Sequence, residues 1–468
     1  MLFNSYPFLF LFLPVVLLGF ALCTRRGGQT ITMLFLIAAS LVFYGWWNWR
    51  YLFLLLASMA FNYAWAALLR RLSARGSLAQ RRLAVGVGVA VNLGLLAYFK
   101  YANFLVDTVN TAIGTDWAVT HIVLPLAISF FTFEQITYLV DTYRGTTPAH
   151  GALQYGVFMT FFPRLIAGPI VRPGQILPQL TVSRPFVFDA DGVATGLLIF
   201  AVGLFKKVVI ADGIAPYVGP IFDRAPVVPF FDGWGAAVAF ALQVYFDFSG
   251  YTDMAIGLGC MLCIRLPENF ESPYQALDVR EFWQRWHITL STFLRDYLYV
   301  PLGGNRRGAV RSAVNLAVTM LLGGLWHGAR WTFVAWGGVY AVLVLANRGW
   351  RRRNTPLPRL AAWGLTFSAV VAAQALFRSP SFERAGVVLG GMVGTQGFAW
   401  DALPYSIGWS EWQRLLPALA IVLFLPNRRQ VVQGRWIGQW PGAVAFAVLA
   451  GLSILRLGDP SPFFYFQF

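Results

Sequence analysis

Residues 280–308 read REFWQRWHITLSTFLRDYLYVPLGGNRRG, and residues 312–336 read SAVNLAVTMLLGGLWHGARWTFVAW. The second stretch decides the fold class. From Ser312 to Trp326 it carries no charge, and with the residues that follow it approaches the ~20 apolar residues that cross a bilayer as a helix. Comparable runs recur along the chain, near 5–23, 30–47, 52–69, 83–99, 122–140, 153–171, 193–211, 234–262, 312–328, 331–347, 360–377, 413–426 and 438–455. Segments 100–115, 213–231 and 384–397 are ambiguous.

Composition agrees with that reading. The 468 residues are 57% hydrophobic and only 12% charged, about half the ~25% of soluble domains. The pattern implies an all-α polytopic membrane protein with about 11–13 transmembrane or re-entrant helices. Phe20-Ala21-Leu22 before Cys23 is a poor cleavage or lipid-attachment context, and no basic region precedes the apolar run. The first run therefore reads as a retained span. No linker and no internal repeat divides the chain, so residues 1–468 read as a single membrane-embedded domain.

A net charge of +16 invites a polyanion-binding reading. However, the basic residues sit in short connectors, at Arg25-Arg26, Arg70 to Arg82, Arg306 to Arg311, Arg348 to Arg359 and Arg428 to Arg435. Basic connectors mark the cytoplasmic side of a membrane. Nucleic acid is not an expected partner; membrane lipid is. Counting spans between these connectors places both ends of the chain outside. The three cysteines are too few for a disulfide framework. The Cys260–Cys263 pair lacks a second pair for zinc and reads as part of a packed helix.

The middle third carries ionisable groups at membrane depth: Glu134 and Asp141 in SFFTFEQITYLVD, Arg164 in FFPRLIAGPIVRPG, and Asp247 and Asp253 in YFDFSGYTDM. Such groups normally face a bundle interior or a wet cavity. The prolines and glycines at 163–174 break helical backbone, which only a protein-lined cavity tolerates. Together they predict an internal tunnel. Lys206, Lys207 and Asp212 are expected at headgroup level.

The 280–308 stretch carries two helical stripes. Trp283, Trp286, Leu290, Phe293 and Tyr297 form an apolar stripe at steps of three and four; Arg285, Thr289, Thr292 and Asp296 form a polar one. His287, Ser291 and Arg295 flank them. This predicts an amphipathic helix at the membrane interface, ended by Pro301 and the Gly303-Gly304-Asn305 turn. Anchoring alone would explain the tryptophans and arginines. The chain's other Trp-His pair, Trp326-His327, lies between glycines that admit backbone or ligand. A buried imidazole in apolar surroundings needs a partner or a task. Two of them near a polar passage make His287 and His327 candidates for chemistry. A neutral imidazole can take a proton from a hydroxyl attacking a thioester. His287, an indole N–H of Trp286 or Trp326, or a backbone N–H could face the oxyanion. There is no GxSxG, and Ser291 lacks a spaced base, so no covalent nucleophile is indicated.

With these blocks in view, residues 160–340 resemble the membrane-bound O-acyltransferases, and within them the bacterial alginate O-acetylation branch. The resemblance rests on TFFPRLIAGPIVRPGQ (160–175), GLFKKVVIAD (203–212), QVYFDFSGYTDMAIGLG (243–259) and PENFESPY (267–274). It also rests on the 280–306 stretch, LLGGLWHGARWTFVAWG (321–337) and the final SPFFYFQF. The motif core spans about 153–347. The resemblance implies acyl transfer from a thioester to a hydroxyl in a tunnel through the membrane. His327 would match the family's near-invariant histidine, and His287 a second polar position. Trp286, Trp326, Ser291, Arg295, Asp247, Asp253, Arg164 and Glu134 are the expected tunnel and substrate residues. The expected donor is acetyl-CoA, with no permanently bound cofactor or metal. The expected acceptor is an exported polysaccharide of alginate type, reached directly or through a periplasmic acetyltransferase partner. Peptidoglycan or cellulose is the alternative acceptor. The expected location is the bacterial inner membrane, multi-pass. A transporter or a scaffold without chemistry is the competing class; neither gives a reason for two Trp-His sites.

Overall fold

The computed structural model describes every residue except 119–121, 182–185, 402, 429, 431–438, 459–460, 462 and 465–468. The described residues form helices and turns without a strand. Six helical runs are long and apolar enough to cross a membrane: Phe8–Gly45, Arg50–Arg75, Leu78–Ile113, Ala190–Arg224, Gly308–His327 and Arg359–Arg378. The first, at 38 residues, exceeds the ~20 that a bilayer needs. It breaks at Gly28, where φ is 70°, a conformation open mainly to glycine. The break separates α1 (Leu13–Leu22) from α2 (Gly28–Gly45), the two spans read from sequence at 5–23 and 30–47. The ambiguous segments 100–115 and 213–231 fall within Leu78–Ile113 and Ala190–Arg224, largely as continuations of neighbouring helices. They add to helix length rather than to span number.

The chain falls into two compact units. The first comprises Met1–Phe200, Thr252–Pro267 and Trp436–Phe446, the second Ala201–Tyr251, Glu268–Arg435 and Ala447–Phe468. Helices α3 (Ala190–Phe205) and α4 (Phe230–Met261) contribute residues to both. Small residues bring these two helices to backbone contact within each unit. In the first, a Cβ on Gly257 would lie 2.6 Å from the Gly196 carbonyl oxygen; in the second, one on Gly250 would lie 2.7 Å from that of Gly203. Both glycine pairs are spaced seven apart, so one face of each helix repeats the contact.

In the first unit, the buried Arg164 pairs with the buried Glu134 and lies 5.0 Å over the Phe158 ring. Cys260 lies in α4, but Cys263, expected in the same packed helix, falls just past its end with φ 59°; both are half-buried, and their thiols meet the carbonyls of Gly192 and Val187.

The second unit packs around an aromatic core. Two of its helices, α5 (Gly308–His327) and α6 (Trp331–Arg352), form a tight hairpin. A Cβ on Gly324 would collide with the Phe333 carbonyl, and one on Gly337 with that of Met320. The glycines before His327 thus admit neighbouring backbone.

Two expectations are corrected in this unit. The 283–297 stripe is not one helix: it divides into Val279–Arg285 and Ile288–Phe293, followed by a widened turn at Leu294–Tyr299. Between them His287 adopts φ 42°, ψ 53°, the left-handed region that non-glycine residues enter only when their surroundings hold them there. Lys207, expected at headgroup level, is buried and lies 2.7 Å from Asp247. That ion pair, 40 residues apart in sequence, offsets part of the cost of removing the ammonium from water.

Candidate active site

The two Trp-His pairs converge. His327 closes α5, and its Nδ1 lies 2.6 Å from the carbonyl oxygen of Gly323, one turn earlier. A carbonyl only accepts, so Nδ1 carries the proton and Nε2 presents a lone pair. The ring is 4% exposed and enclosed by aromatics, with centroids 5.1 Å from Trp326, 5.0 Å from Trp336 and 5.6 Å from Phe377. Trp326 also stands 6.1 Å from His287. One indole therefore lies between the two imidazoles.

His287 is fully buried and owes its conformation to Asn269. The backbone carbonyl of Asn269 accepts from Ile288 N at 2.9 Å. Its side-chain oxygen accepts from Thr289 N at 3.2 Å, Thr289 Oγ1 at 2.9 Å and His287 Nδ1 at 3.1 Å. The backbone donor at Thr289 fixes which amide atom is the oxygen. Consequently His287 also carries its proton on Nδ1 and presents Nε2 as an acceptor. That nitrogen and Asn269 Nδ2 are buried without a protein partner. Burial holds the His287 pKa well below the ordinary 6.5, and charge on His327 would lower it further. A neutral imidazole with this tautomer cannot donate from Nε2, which removes His287 from the possible oxyanion donors. Phe248 packs edge-on against His287 with centroids 4.7 Å apart, and Trp286 packs against Phe270 and Phe282 at 5.1 and 5.6 Å.

Further indole N–H groups lie unpaired in the same shell. Trp336 Nε1 and Trp283 Nε1 are buried with no acceptor, and the two rings meet edge to face at 5.8 Å. A buried donor left unpaired costs about 1–3 kcal/mol, which a ligand carbonyl would recover. Sequence reading singled out neither tryptophan as a donor, nor Asn269, although all three lie in the blocks quoted above.

The remaining expected site residues behave differently. Asp247 binds Lys207 through Oδ1 and accepts from Phe464 N at 2.9 Å through Oδ2. Lys207 also reaches Asp212 and Ser461, at 2.8 and 2.7 Å. Ser291 Oγ is 3.4 Å from the Trp286 carbonyl. Arg295, 61% exposed at its side chain, pairs with its neighbour Asp296; the structure does not bring it to the histidines. Glu134, Arg164 and Asp253 are buried in the first unit. Among the described residues no three His, Cys, Asp or Glu side chains gather as a metal site. The arrangement thus offers two imidazole acceptors and unpaired N–H donors inside aromatic walls. That set suits proton removal from a hydroxyl and stabilisation of an oxyanion.

Residues 149–377 match the model of the MBOAT, membrane-bound O-acyltransferase family. A peptidoglycan O-acetyltransferase of Helicobacter pylori is 40% identical over 427 residues, covering 85% of this chain and 80% of that protein. A probable alginate O-acetylase of Azotobacter vinelandii is 44% identical, covering 82% and 76%. A teichoic acid D-alanyltransferase of Bacillus subtilis is 28% identical over 49% of this chain and 60% of its own.

Proposed function

The chain belongs to the membrane-bound O-acyltransferase family as a multi-pass acyltransferase, and from that premise we propose that His327 is its catalytic base. The substrate we assign is an exported polysaccharide, O-acetylated from acetyl-CoA on the cytoplasmic side of the inner membrane. The carrying observation is the His327 tautomer: Nδ1 is tied to the Gly323 carbonyl, which makes Nε2 the ring's acceptor nitrogen.

The acceptor hydroxyl oxygen attacks the thioester carbonyl carbon, forming a C–O bond as its proton passes to His327 Nε2. Collapse of the tetrahedral intermediate breaks the C–S bond, and the departing thiolate recovers the proton from the imidazolium. His287 Nε2 is the second acceptor in the site and holds a neighbouring hydroxyl of the acceptor sugar, since the single proton of the attacking hydroxyl goes to His327. Aromatic enclosure keeps water from the thioester. We assign the internal tunnel expected from sequence as the route of donor and acceptor, and a periplasmic acetyltransferase as the partner that completes transfer.

An alginate-type polymer is the leading acceptor, supported by the 44% identity to the Azotobacter relative. Peptidoglycan is the second reading, favoured by the longer alignment to the Helicobacter relative. The test expresses wild type, His327→Ala and His287→Ala at equal membrane levels in a polymer-producing host. O-acetyl is then quantified on exported polysaccharide and on peptidoglycan. Loss in His327→Ala with the fold retained supports the base, and the polymer that loses acetyl identifies the acceptor. Wild-type acetylation in both variants would sink the enzymatic reading of these residues.

A further inference from the structure

The proposed chemistry creates a demand that neither histidine meets. When the hydroxyl attacks, negative charge develops on the former carbonyl oxygen. A donor must stand beside it, within reach of the atom that His327 deprotonates. Both imidazoles present Nε2 as an acceptor, because their Nδ1 protons are committed to Gly323 and Asn269. The donor must come from another group. Among the groups described around the histidines, buried N–H donors without a protein acceptor include those of Trp336, Trp283 and Asn269; the Trp326 indole has a further interaction of its own and is set apart.

Position separates these three. Asn269 lies against His287 and holds it through its amide oxygen. Trp283 packs on Trp336 and on Tyr340, at 5.8 and 4.9 Å. Trp336 packs on His327 itself, with centroids 5.0 Å apart and planes at 69°. It is 4% exposed, so bulk water does not serve its N–H. Its place is fixed by backbone: Trp336 precedes Gly337, whose missing Cβ lets α6 close on the Met320 carbonyl of α5. Base and indole therefore keep a constant separation.

Resting on the assignment of His327 as the base, we propose that Trp336 Nε1–H is the oxyanion donor of acyl transfer. It is a catalytic residue in the strict sense, touching the reacting carbonyl oxygen. Trp326, between the two imidazoles, is then a packing element that spaces them. The N–H donor on Trp336 also makes the site selective for acyl groups with a carbonyl oxygen free to rotate toward the indole.

The decisive experiment removes one hydrogen-bond donor and leaves the shape. Trp336 is replaced by the isosteric benzothienylalanine, in which sulfur stands for N–H, and in parallel by Trp336→Phe. Full-length protein in native membranes is assayed with labelled acetyl-CoA, measuring initial acetyl transfer into polymer. A single oxyanion-hole donor is worth ~10²–10³ in kcat, so both replacements should lower kcat by about a hundredfold. KM for acetyl-CoA and thermal stability should stay close to wild type. A benzothienylalanine enzyme within about twofold of wild-type kcat overturns the assignment, including the case where only Trp336→Phe is impaired, because that marks a packing role. Failure of the base reading has a separate signature, full transfer by His327→Ala in the same assay.

Discussion

The second unit contains two polar clusters, each holding residues that sequence reading placed along the tunnel or at the site, and the structure sets them apart. Around Lys207 each ionised group has partners within the protein: the ammonium meets Asp247, Asp212 and Ser461, and Asp247 also receives Phe464 N. Around His287 and His327 the described partners are aromatic rings, an amide and a backbone carbonyl. Yet lone pairs and N–H groups there, on His287, Asn269, Trp283 and Trp336, have no protein partner. A buried ion whose partners are complete holds structure; a buried neutral group whose partners are missing awaits a ligand. Buried charge is therefore a poor guide to the reactive centre in this chain. Incomplete hydrogen bonding is a better one.

That contrast can be broken by mutation. His327→Ala should reduce acetyl transfer by ~10²–10⁴-fold, the usual worth of a positioned base, while detergent-solubilised protein keeps its melting temperature. Lys207→Met should do the opposite. It strands buried Asp247 and should cost about 3–5 kcal/mol of stability, seen as loss of folded protein from the membrane. Adding Asp247→Asn should recover much of that protein. If Lys207→Met folded normally but lost transfer, the distinction between the clusters would fail.

Asn269→Ala tests the clasp. It removes the acceptor that holds His287 Nδ1 and the Thr289 donors, so kcat should fall by about tenfold and stability by ~1–3 kcal/mol. Acid should act through the same residue. The folded-state pKa of His287 lies below its ordinary 6.5, so the unfolded chain takes up the proton first. Stability is then intact above pH 6.5 and declines as pH falls through 6.5 toward the folded value, by up to ~1.4 kcal/mol per unit. Melting curves between about pH 4.5 and 8 should show that limb in wild type and a shallower one in His287→Asn. The smallest effect belongs to Arg295→Ala, which removes an exposed pair with Asp296 and should change stability and transfer by less than about 1 kcal/mol.

Much of the architecture was readable from apolar periodicity, because span length and helical spacing are local properties. The Gly28 break and the division between α5 and α6 follow from neighbouring residues and were anticipated. His327 was legible too, since its flanking glycines and tryptophans lie beside it in sequence. What stayed hidden was non-local. Nothing near His287 predicts a left-handed residue; the bonds from Asn269 impose it, and with it the break in the amphipathic stripe. Lys207 reads as a headgroup residue until Asp247 arrives from another helix. The donor was sought on His287, on the tryptophans adjacent to the histidines in sequence or on a backbone N–H, whereas the proposed donor, Trp336, reaches His327 only through the hairpin.

The glycine-closed hairpin that carries His327 and Trp336 has an evolutionary consequence. Because backbone meets backbone at Gly324 and Gly337, the spacing of the two groups does not depend on which side chains line the rest of the bundle. Substitutions elsewhere can reshape access and acceptor preference without retuning the chemistry. A lineage built on such a hairpin can diversify toward different polymers by drift at its periphery, with the reaction itself inherited unchanged.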